Sequence, residues 1–235
     1  MLICRVCGFV CFLYLGYLEL TKYNLPMQIY FVRHGEGHHN ANNLYSLPEF
    51  ELTEKGKEQA RGVAGRLKHL PIEILIVSPY KRTVQTAEII NQVLNKPVVY
   101  SELAVEIKRP SEIAGKPIDH PESQKIRNIL DSNSHLPDFH FSDEENFFDL
   151  KTRAQKFLKF LETFEEKNRH LAVVTHAVFI KMLALNIILQ DALTPQGFLN
   201  AYHPLSLATS GLTVCEKNEK GWKLITWNDQ SHLGE

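Results

Sequence analysis

Residues 27–36 read MQIYFVRHGE, a short apolar run that passes directly into charged and polar residues. The apolar part, 27–32, is nearly continuous rather than alternating, which is typical of a strand covered on both faces. Such strands occur in parallel sheets, where ligands bind beyond the carboxyl ends of the strands. The sequence therefore predicts a buried first strand that delivers Arg33 and His34 to a ligand-binding edge.

Further apolar runs and amphipathic segments follow this strand. Predicted strands cover 72–77, 97–100, 170–175, 212–216 and 222–227, and the last two form a closing hairpin around KNEKG. Predicted helices cover 54–69, with Thr53 as its cap, 81–94 and 178–189. Strands that alternate with helices predict an α/β fold, a three-layer α/β/α sandwich with a mostly parallel sheet.

One more helix is predicted after 142–145, where SDEE has the pattern of a capping box. Its apolar stripe consists of Leu150, Ala154, Phe157, Leu158, Leu161 and Phe164. Upstream, 107–140 is rich in Pro, Ser, Asp and His and interrupts the alternation of strands and helices. We interpret 107–145 as a partly helical insertion or cap within a domain that covers 27–235.

The first 26 residues differ from this domain in being strongly apolar. Residues 8–18 resemble the apolar region of a signal peptide, but they are shorter than the span of about 20 residues that crosses a membrane. Two interpretations stay open. We favour a translation start at Met27 or a dispensable extension, with a cytoplasmic protein. The alternative is a chain that residues 1–26 anchor to a membrane or export.

The overall composition gives no reason to expect nucleic acid as a partner, because the formal net charge is −1. Affinity for an anion must then come from local positive charge. Cys4, Cys7 and Cys11 lie in the extension, and Cys215 stands alone in the domain. This distribution argues against a disulfide framework and fits a reducing compartment. The pair Cys4-x-x-Cys7 lacks the second half of a zinc site.

Polar residues follow three predicted strands at the point where each strand ends. The segments are Arg33-His34 after 27–32, 78–82 with Arg82 after 72–77, and Thr175-His176 after 170–175. Any one of these residues alone would more often be a surface charge or a core histidine. If the three strands are parallel neighbours, two arginines and two histidines converge on one anion site, and phosphate is the obvious anion.

Motifs for other phosphate chemistries are missing from the sequence. It contains no G-x-x-x-x-G-K-[ST] loop, no cysteine followed six residues later by arginine, no early D-x-D and no G-x-S-x-G. Histidine remains as the nucleophile, since it can form covalent intermediates. His34, His38 and His39 could also suggest a metal cluster, but no carboxylate–histidine spacing completes one. We expect His38 and His39 at the rim of the pocket or on the surface.

The motifs, in chain order, are FVRHGE with Asn40, LTEKGKEQA at 52–60, SPYKRTVQTA at 78–87, VVTHA at 173–177 and WNDQSHL at 227–233. From Met27 to its end the chain resembles the histidine phosphatase superfamily, which has the phosphoglycerate-mutase-like fold. The resemblance implies that His34 attacks phosphorus and becomes phosphohistidine. It implies that Arg33, Arg82 and His176 hold the phosphoryl oxygens and that Asn40 adds a hydrogen bond. Gly35 would let the backbone turn beside the nucleophile. Neither a metal nor a cofactor is expected, because the arginines and His176 would supply the positive charge.

The resemblance also implies a glutamate that protonates the leaving oxygen. The candidates are Glu102, Glu106 and Glu112, and we select Glu106, although its spacing from Leu103 is one residue longer than is usual in the family. Ala177 stands where the family commonly has glycine. The Gly-rich block of cofactor-dependent mutases is replaced by IKRPSEIAGKP. This replacement favours a phosphatase over a mutase.

Together these features predict a metal-independent phosphomonoesterase that acts through phosphohistidine on a small phosphorylated metabolite. The alternatives are phosphoglycerate-mutase-type phosphoryl transfer, a catalytically idle protein that binds a phosphorylated ligand, and a metal hydrolase. Membrane contact is expected only if residues 1–26 are a genuine anchor. The sequence indicates neither the substrate nor the oligomeric state. Lys108, Arg109 and Lys116 in the insertion could meet a second negative group or be solvated surface charges.

Overall fold

The computed structural model of the chain describes residues 26–165 and 169–234. The amino-terminal extension lies outside these ranges except for Pro26. The predictions of an anchor, an export signal or a start at Met27 therefore fall outside the described residues. Within the described residues, no helix is both long enough and apolar enough to cross a membrane.

The strands of the described ranges belong to a single six-stranded sheet. They are β1 (Met27–Arg33), β2 (Ile74–Val77), β3 (Val98–Tyr100), β4 (His170–Thr175), β5 (Leu212–Asn218) and β6 (Gly221–Asp229). The order across the sheet is β3-β2-β4-β1-β5-β6. The pairs β3–β2, β2–β4 and β4–β1 are parallel, whereas β5 is antiparallel to both β1 and β6. The prediction of a mostly parallel sheet with a closing hairpin is confirmed.

The helices are α1 (His38–Ala41), α2 (Glu54–Leu67), α3 (Lys81–Leu94), α4 (Pro121–Asn133), α5 (Phe147–Glu162), α6 (Ala177–Leu189) and α7 (Pro195–Tyr202). Short 3-10 turns cover Glu102–Ala104 and Gln190–Ala192. Thr53 caps α2 as predicted, because its side chain accepts a hydrogen bond from the Gly56 amide. The strand predicted for 72–77 begins at Ile74, two residues later than predicted. The helix predicted for 54–69 ends at Leu67, two residues earlier than predicted.

Residues of β1 alternate between the two faces of the sheet, and each face carries its own core. Ile29 and Phe31 belong to a buried cluster with residues of α5 and α6. Tyr30 and Val32 belong to a second cluster with residues of α2 and α3. A strand that is apolar at nearly every position is therefore covered by helices on both sides, as its nearly continuous hydrophobic run predicted. This arrangement gives the three layers.

The predicted cap contains one helix, α4, and a small core of its own. Tyr45, Ile113 and Ile126 form a buried cluster apart from the two large ones. The cap is joined to the loop after α1, because the Tyr45 amide donates to the Lys116 carbonyl at 2.9 Å. The insertion is therefore attached to the segment that follows the RHG motif.

The predicted capping box at 142–145 is wrong. The cap of α5 is Asn146, whose side-chain oxygen accepts from the amides of Phe148 and Asp149 at 2.8 and 3.0 Å. The Asp149 carboxylate accepts in return from the Asn146 amide at 3.1 Å. Glu145 instead forms an ion pair with Arg153 at 2.6 Å. The apolar stripe of α5 is correct for its buried positions, whereas Phe164 lies beyond the helix end and is half-buried.

Candidate active site

The carboxyl ends of β1, β4 and β2 lie side by side, so the polar strand ends converge as predicted. Arg33 is in register with Thr175, and the His34 amide donates to the Thr175 carbonyl at 3.0 Å. On the other side of β4, the Ser78 amide donates to the Val174 carbonyl at 3.1 Å. Three backbone segments that are far apart in sequence are thereby fixed around one pocket.

Arg82, in the first turn of α3, holds this pocket together. Its side chain is fully buried. Nε donates to His34 Nε2 at 3.1 Å, Nη2 donates to His176 Nδ1 at 2.9 Å, and Nη1 donates to the Leu47 carbonyl at 3.0 Å. The guanidinium carbon also lies 5.1 Å from the centre of the Tyr80 ring. One rigid donor group therefore orients both histidines.

The hydrogen bonds of His34 determine which of its ring nitrogens carries the proton and which carries the lone pair. Nδ1 lies 2.7 Å from the Gly35 carbonyl, which can only accept, so Nδ1 must carry the proton. The lone pair of the neutral ring is then on Nε2, which faces Arg82. Burial, followed by the nearby charges of Arg82 and Arg33, lowers the pKa of His34 well below its usual value. The imidazole is therefore neutral, the state that a nucleophile requires.

His176 is held in the opposite tautomer. Arg82 can only donate, so Nδ1 of His176 accepts and Nε2 carries the proton, which is donated to Ser78 Oγ at 2.8 Å. Burial and the charge of Arg82 lower the pKa of His176 well below its usual value. His176 is therefore neutral here and acts as a hydrogen-bonding group. Arg33 and Arg82 supply the charge.

Both arginines have been taken out of water to reach this position. Burial lowers the pKa of Arg33, and burial lowers that of Arg82 to about 10. In each case the Glu106 carboxylate is the largest opposing influence, since it raises the pKa of both. Nη1 of Arg33 donates to the Leu207 carbonyl, while its buried Nε has no hydrogen-bond partner among the described residues. An anion in the pocket would satisfy that donor.

Glu106 is the only one of the three candidate carboxylates that the described contacts link to the two arginines. Its Oε1 accepts from the Ile107 and Phe179 amides at 3.0 and 3.2 Å, and its Oε2 accepts from the Val178 amide at 3.2 Å. The last two amides belong to the first turn of α6. Oε2 receives a single hydrogen bond, so it retains a lone pair that can carry a proton.

The other two candidates lie apart from these contacts. Glu102 is exposed in the 3-10 turn after β3. Glu112 is exposed in the cap, where it accepts from Ser142 Oγ at 2.7 Å. The geometry therefore favours Glu106, which the sequence selected despite its unusual spacing.

The histidines that follow the RHG motif separate more sharply than expected. His38 is exposed, whereas His39 is only 6% exposed, so its predicted place at the rim or surface is wrong. The His39 ring lies 5.6 Å from the His34 ring and stacks on Phe50 at 5.9 Å. Burial, then Arg82 and Arg33, lowers its pKa to about 3. No grouping of at least three possible ligands for a metal ion occurs among the described residues.

Asn40 lies in the short helix α1, beside the RHG loop. Its side-chain oxygen accepts from the Gly37 amide at 3.1 Å. This bond leaves the amide NH₂ group of Asn40 available as a donor. Direct contacts or electrostatic interactions thus link five of the predicted site residues, namely Arg33, His34, Arg82, Glu106 and His176. Asn40 is joined to the RHG loop through its hydrogen bond with Gly37.

Gly35 is needed for close approach rather than for an unusual backbone turn. A Cβ atom at Gly35 would lie 2.3 Å from the Gly56 carbonyl oxygen, and one at Gly56 would lie 2.1 Å from the Glu36 carbonyl oxygen. The backbone φ of Gly35 is not positive, so the residue does not adopt the left-handed conformation that favours glycine. Two glycines therefore allow the RHG loop to lie directly on helix α2.

Several contributors to the pocket were not assigned roles from the sequence. Ser78 and Tyr80 were noted only as part of a polar strand end, yet Ser78 fixes the tautomer of His176 and the Tyr80 ring lies 5.1 Å from the His176 ring. The SPYKR segment carried that signal. The Leu47 and Leu207 carbonyls, which accept from Arg82 and Arg33, had no signal, because any residue can provide a backbone carbonyl.

The chain resembles known proteins over most of its length. The family model of the histidine phosphatase superfamily (branch 1) matches residues 29–230. The chain belongs to the histidine phosphatase superfamily. The resemblance noted from the motifs is confirmed, as is the prediction of an enzyme of this class.

Two similar proteins carry different names, one a phosphatase and the other a mutase. A "probable phosphatase" of Schizosaccharomyces pombe is 31% identical over 171 residues, which are 70% of this chain and 57% of the yeast protein. The chain thus matches little more than half of that relative. The "probable phosphoglycerate mutase GpmB" of Proteus mirabilis is 30% identical over 217 residues, 88% of this chain and 95% of the bacterial protein.

Solved structures confirm the histidine phosphatase fold. The alpha-ribazole phosphatase from Shigella flexneri has a TM-score of 0.71 at 19% identity, covering 86% of this chain and 96% of that one. A phosphoserine phosphatase from Entamoeba histolytica, solved with 3-phosphoglyceric acid, has a TM-score of 0.70 at 22% identity, covering 88% and 98%. At these identities the likeness concerns the fold alone.

Proposed function

We propose that the chain is a metal-independent phosphomonoesterase that acts on a small phosphorylated metabolite through a phosphohistidine at His34. The observation that carries this proposal is the tautomer of His34. Its proton is held on Nδ1 by the Gly35 carbonyl, so a neutral Nε2 lone pair faces the Arg82 guanidinium. A nucleophile is thereby placed against the positive group that would hold the phosphoryl oxygens.

In the first step, Nε2 of His34 forms a bond to phosphorus while the ester P–O bond breaks. The leaving oxygen takes a proton from the Glu106 carboxyl group. In the second step, water attacks phosphorus, the P–N bond breaks, and the Glu106 carboxylate accepts the proton of the water. Inorganic phosphate leaves, and both residues return to their starting states.

Arg33, Arg82, His176 and Asn40 are the proposed phosphate-binding residues. Arg33 has an unpartnered buried Nε–H among the described residues, and Arg82 already spans the pocket. Two guanidinium groups stabilise the negative charge of a phosphoryl group in transfer and oppose the binding of a cation at the same place. We therefore propose that neither a metal nor a cofactor takes part, and that the partner of the chain is its substrate.

The proposal is tested with a panel of phosphate monoesters in the presence of EDTA, using the full chain and His34→Ala. We expect turnover by the wild type in EDTA, none by His34→Ala, and ³²P label on the wild type that is stable in alkali and lost in acid. Label that persists in His34→Ala would contradict the assignment of the nucleophile. Activity that EDTA removes and zinc restores would favour a metal hydrolase.

The general acid is tested by pH–rate profiles. Glu106→Gln should lose the limb of the profile that reports the proton donor, because glutamine cannot donate a carboxyl proton. Glu102→Gln is the matched control at an exposed position four residues earlier. A normal profile and rate in Glu106→Gln would remove Glu106 from the mechanism.

A second candidate function is phosphoglycerate-mutase-type transfer. The match to GpmB supports it, since that match covers 95% of a protein named as a mutase. An isomerase assay with and without 2,3-bisphosphoglycerate separates the two functions, because a mutase returns the phosphoryl group to the substrate and a phosphatase gives it to water. An idle phospho-ligand-binding protein is disfavoured, because the His34 and Arg82 geometry is complete.

A further inference from the structure

A second cavity lies next to the proposed active site, under the cap. Its volume is about 240 Å³, and its lining includes Tyr45, Ile107, Arg109, Val178, Phe198 and Tyr202. The amides of Ile107 and Val178 both donate to the Glu106 carboxylate. Two residues that line the cavity therefore contact the group proposed to protonate the leaving oxygen, and the remainder of a phosphomonoester would extend to this side of it.

The walls of this cavity combine apolar and aromatic side chains with charged or polar ones, namely Arg109, Arg127, Asp131 and His203. One of these cations lacks a counter-charge. Arg109 is half-buried, with its guanidinium carbon 6.0 Å from the centre of the Tyr45 ring. It forms no ion pair and no hydrogen bond with the described residues. A guanidinium that leaves water usually has a carboxylate or a phosphate as partner.

The other cations nearby are already paired. Lys108 contacts Asp143 at 3.0 Å, and Lys116 contacts Glu122 at 2.7 Å, so two of the three basic residues of the insertion are neutralised on the surface. Arg127 contacts Asp131 at 3.6 Å and His203 at 3.3 Å, and all three residues line the cavity. Arg109 remains as the group whose charge a ligand would balance.

We propose, on the basis of the proposed function, that this cavity holds the alcohol portion of the substrate, and that Arg109 binds a second anionic group on it. The substrate class is a phosphomonoester with an apolar or aromatic body and a carboxylate or further phosphate. Arg33 and Arg82 bind the transferred phosphoryl group, while Arg109 binds the distant anion across Tyr45. The cap thereby selects the substrate without taking part in the chemistry.

The test uses two aryl phosphates of similar size, 4-carboxyphenyl phosphate and its uncharged analogue 4-carbamoylphenyl phosphate. Each is measured with the wild type and the variants, because the two phenol leaving groups also differ in acidity. We expect the wild type to prefer the carboxylate in kcat/KM by at least about tenfold, the lower range for a charge-assisted hydrogen bond. Arg109→Gln should bring that ratio close to one through KM, and Arg109→Lys should restore part of it. Lys108→Gln, the paired neighbour, should keep the wild-type ratio. An unchanged ratio in Arg109→Gln, or an equal loss for both esters, would overturn the proposal.

A binding measurement separates this proposal from the proposed catalysis. (4-Carboxybenzyl)phosphonate and (4-carbamoylbenzyl)phosphonate cannot be hydrolysed at phosphorus, so calorimetry with them does not depend on turnover. Tighter binding of the carboxylate that Arg109→Gln abolishes supports the subsite even if neither ester is hydrolysed, in which case the proposed function fails alone. Hydrolysis of both esters with no preference in rate or binding would overturn the subsite and leave the proposed function standing.

Discussion

Replacement of His39 by phenylalanine should make the protein more resistant to acid. His39 is only 6% exposed, stacks on Phe50, and has its pKa lowered to about 3, chiefly by burial. In the unfolded chain the same imidazole titrates near 6.5, so the unfolded state binds more protons as pH falls. The contribution of a neutral His39 to stability is therefore present above about pH 6.5 and is lost progressively as pH falls towards the folded pKa.

The magnitude follows from the two pKa values. Between pH 6.5 and pH 5.0, holding the His39 imidazole neutral costs about 2 kcal/mol, at roughly 1.4 kcal/mol for each pH unit. Phenylalanine keeps a planar ring against Phe50 and has no proton to bind. His39→Phe should thus have about the wild-type free energy of unfolding at pH 7.5 and exceed it by about 2 kcal/mol at pH 5.0.

Urea unfolding at pH 7.5 and 5.0, at constant ionic strength and followed by circular dichroism, measures this difference. His38→Phe is the matched control, because His38 is the adjacent residue and is exposed. It should lose as much stability on acidification as the wild type. His39→Phe should still lose some stability on acidification, although less than the wild type, since the pKa values of His34 and His176 are lowered in the same direction in both proteins. Equal losses in the wild type and His39→Phe would refute this account of His39.

Two further predictions concern the backbone. Gly56→Ala should unfold the chain or destabilise it by at least about 3 kcal/mol, because a Cβ there meets a backbone oxygen at 2.1 Å and backbone cannot move aside as a side chain does. Gly65→Ala, in the same helix, places its Cβ where nothing lies within 4 Å, so it should instead stabilise the protein by about 0.5–1 kcal/mol. Thermal melts compare the two variants, and an equal fall in both melting temperatures would refute this reasoning. Asn146→Ala should cost about 1 kcal/mol through the loss of the α5 cap, and Ser142→Ala should cost less; the reverse order in urea unfolding would restore the capping box predicted at 142–145.

The central part of the fold was readable from sequence because its signals are local. A strand buried on both faces needs a continuous apolar run, and β1 and β4 both have one. The start of β2 was misjudged because Ile72 is buried without being part of the strand. An apolar residue in the sequence can be buried by tertiary contacts without belonging to a strand, so sequence alone does not distinguish the two cases.

The capping error has a similar origin. SDEE at 142–145 and NFFD at 146–149 both place an acceptor three residues before an acid. Tertiary contacts decide between them, since Glu145 is drawn to Arg153 and Glu144 turns back to accept from the amides of Phe141 and Ser142. No local pattern contains that choice.

The convergence of residues at the strand ends was predictable, whereas the positions of residues in the loops and turns between them were not. Arg33, His34 and His176 follow from the positions of strands, and Arg82 follows from the first turn of a helix. His38 and His39 were both expected at the rim or on the surface, because sequence gives no means of telling which of two adjacent side chains points inward. The single turn of α1 decides that His39 is the buried one.

The contact between Gly35 and Gly56 sets a limit on protein engineering. The atoms that exclude a larger residue at either position belong to the opposite backbone, so no second substitution can make room for the first. A designer who transplants the RHG loop to another scaffold must therefore transplant helix α2 as well. The distance between the loop and the first turn of that helix must also be kept. The two segments are separate in sequence, yet they form one transferable part.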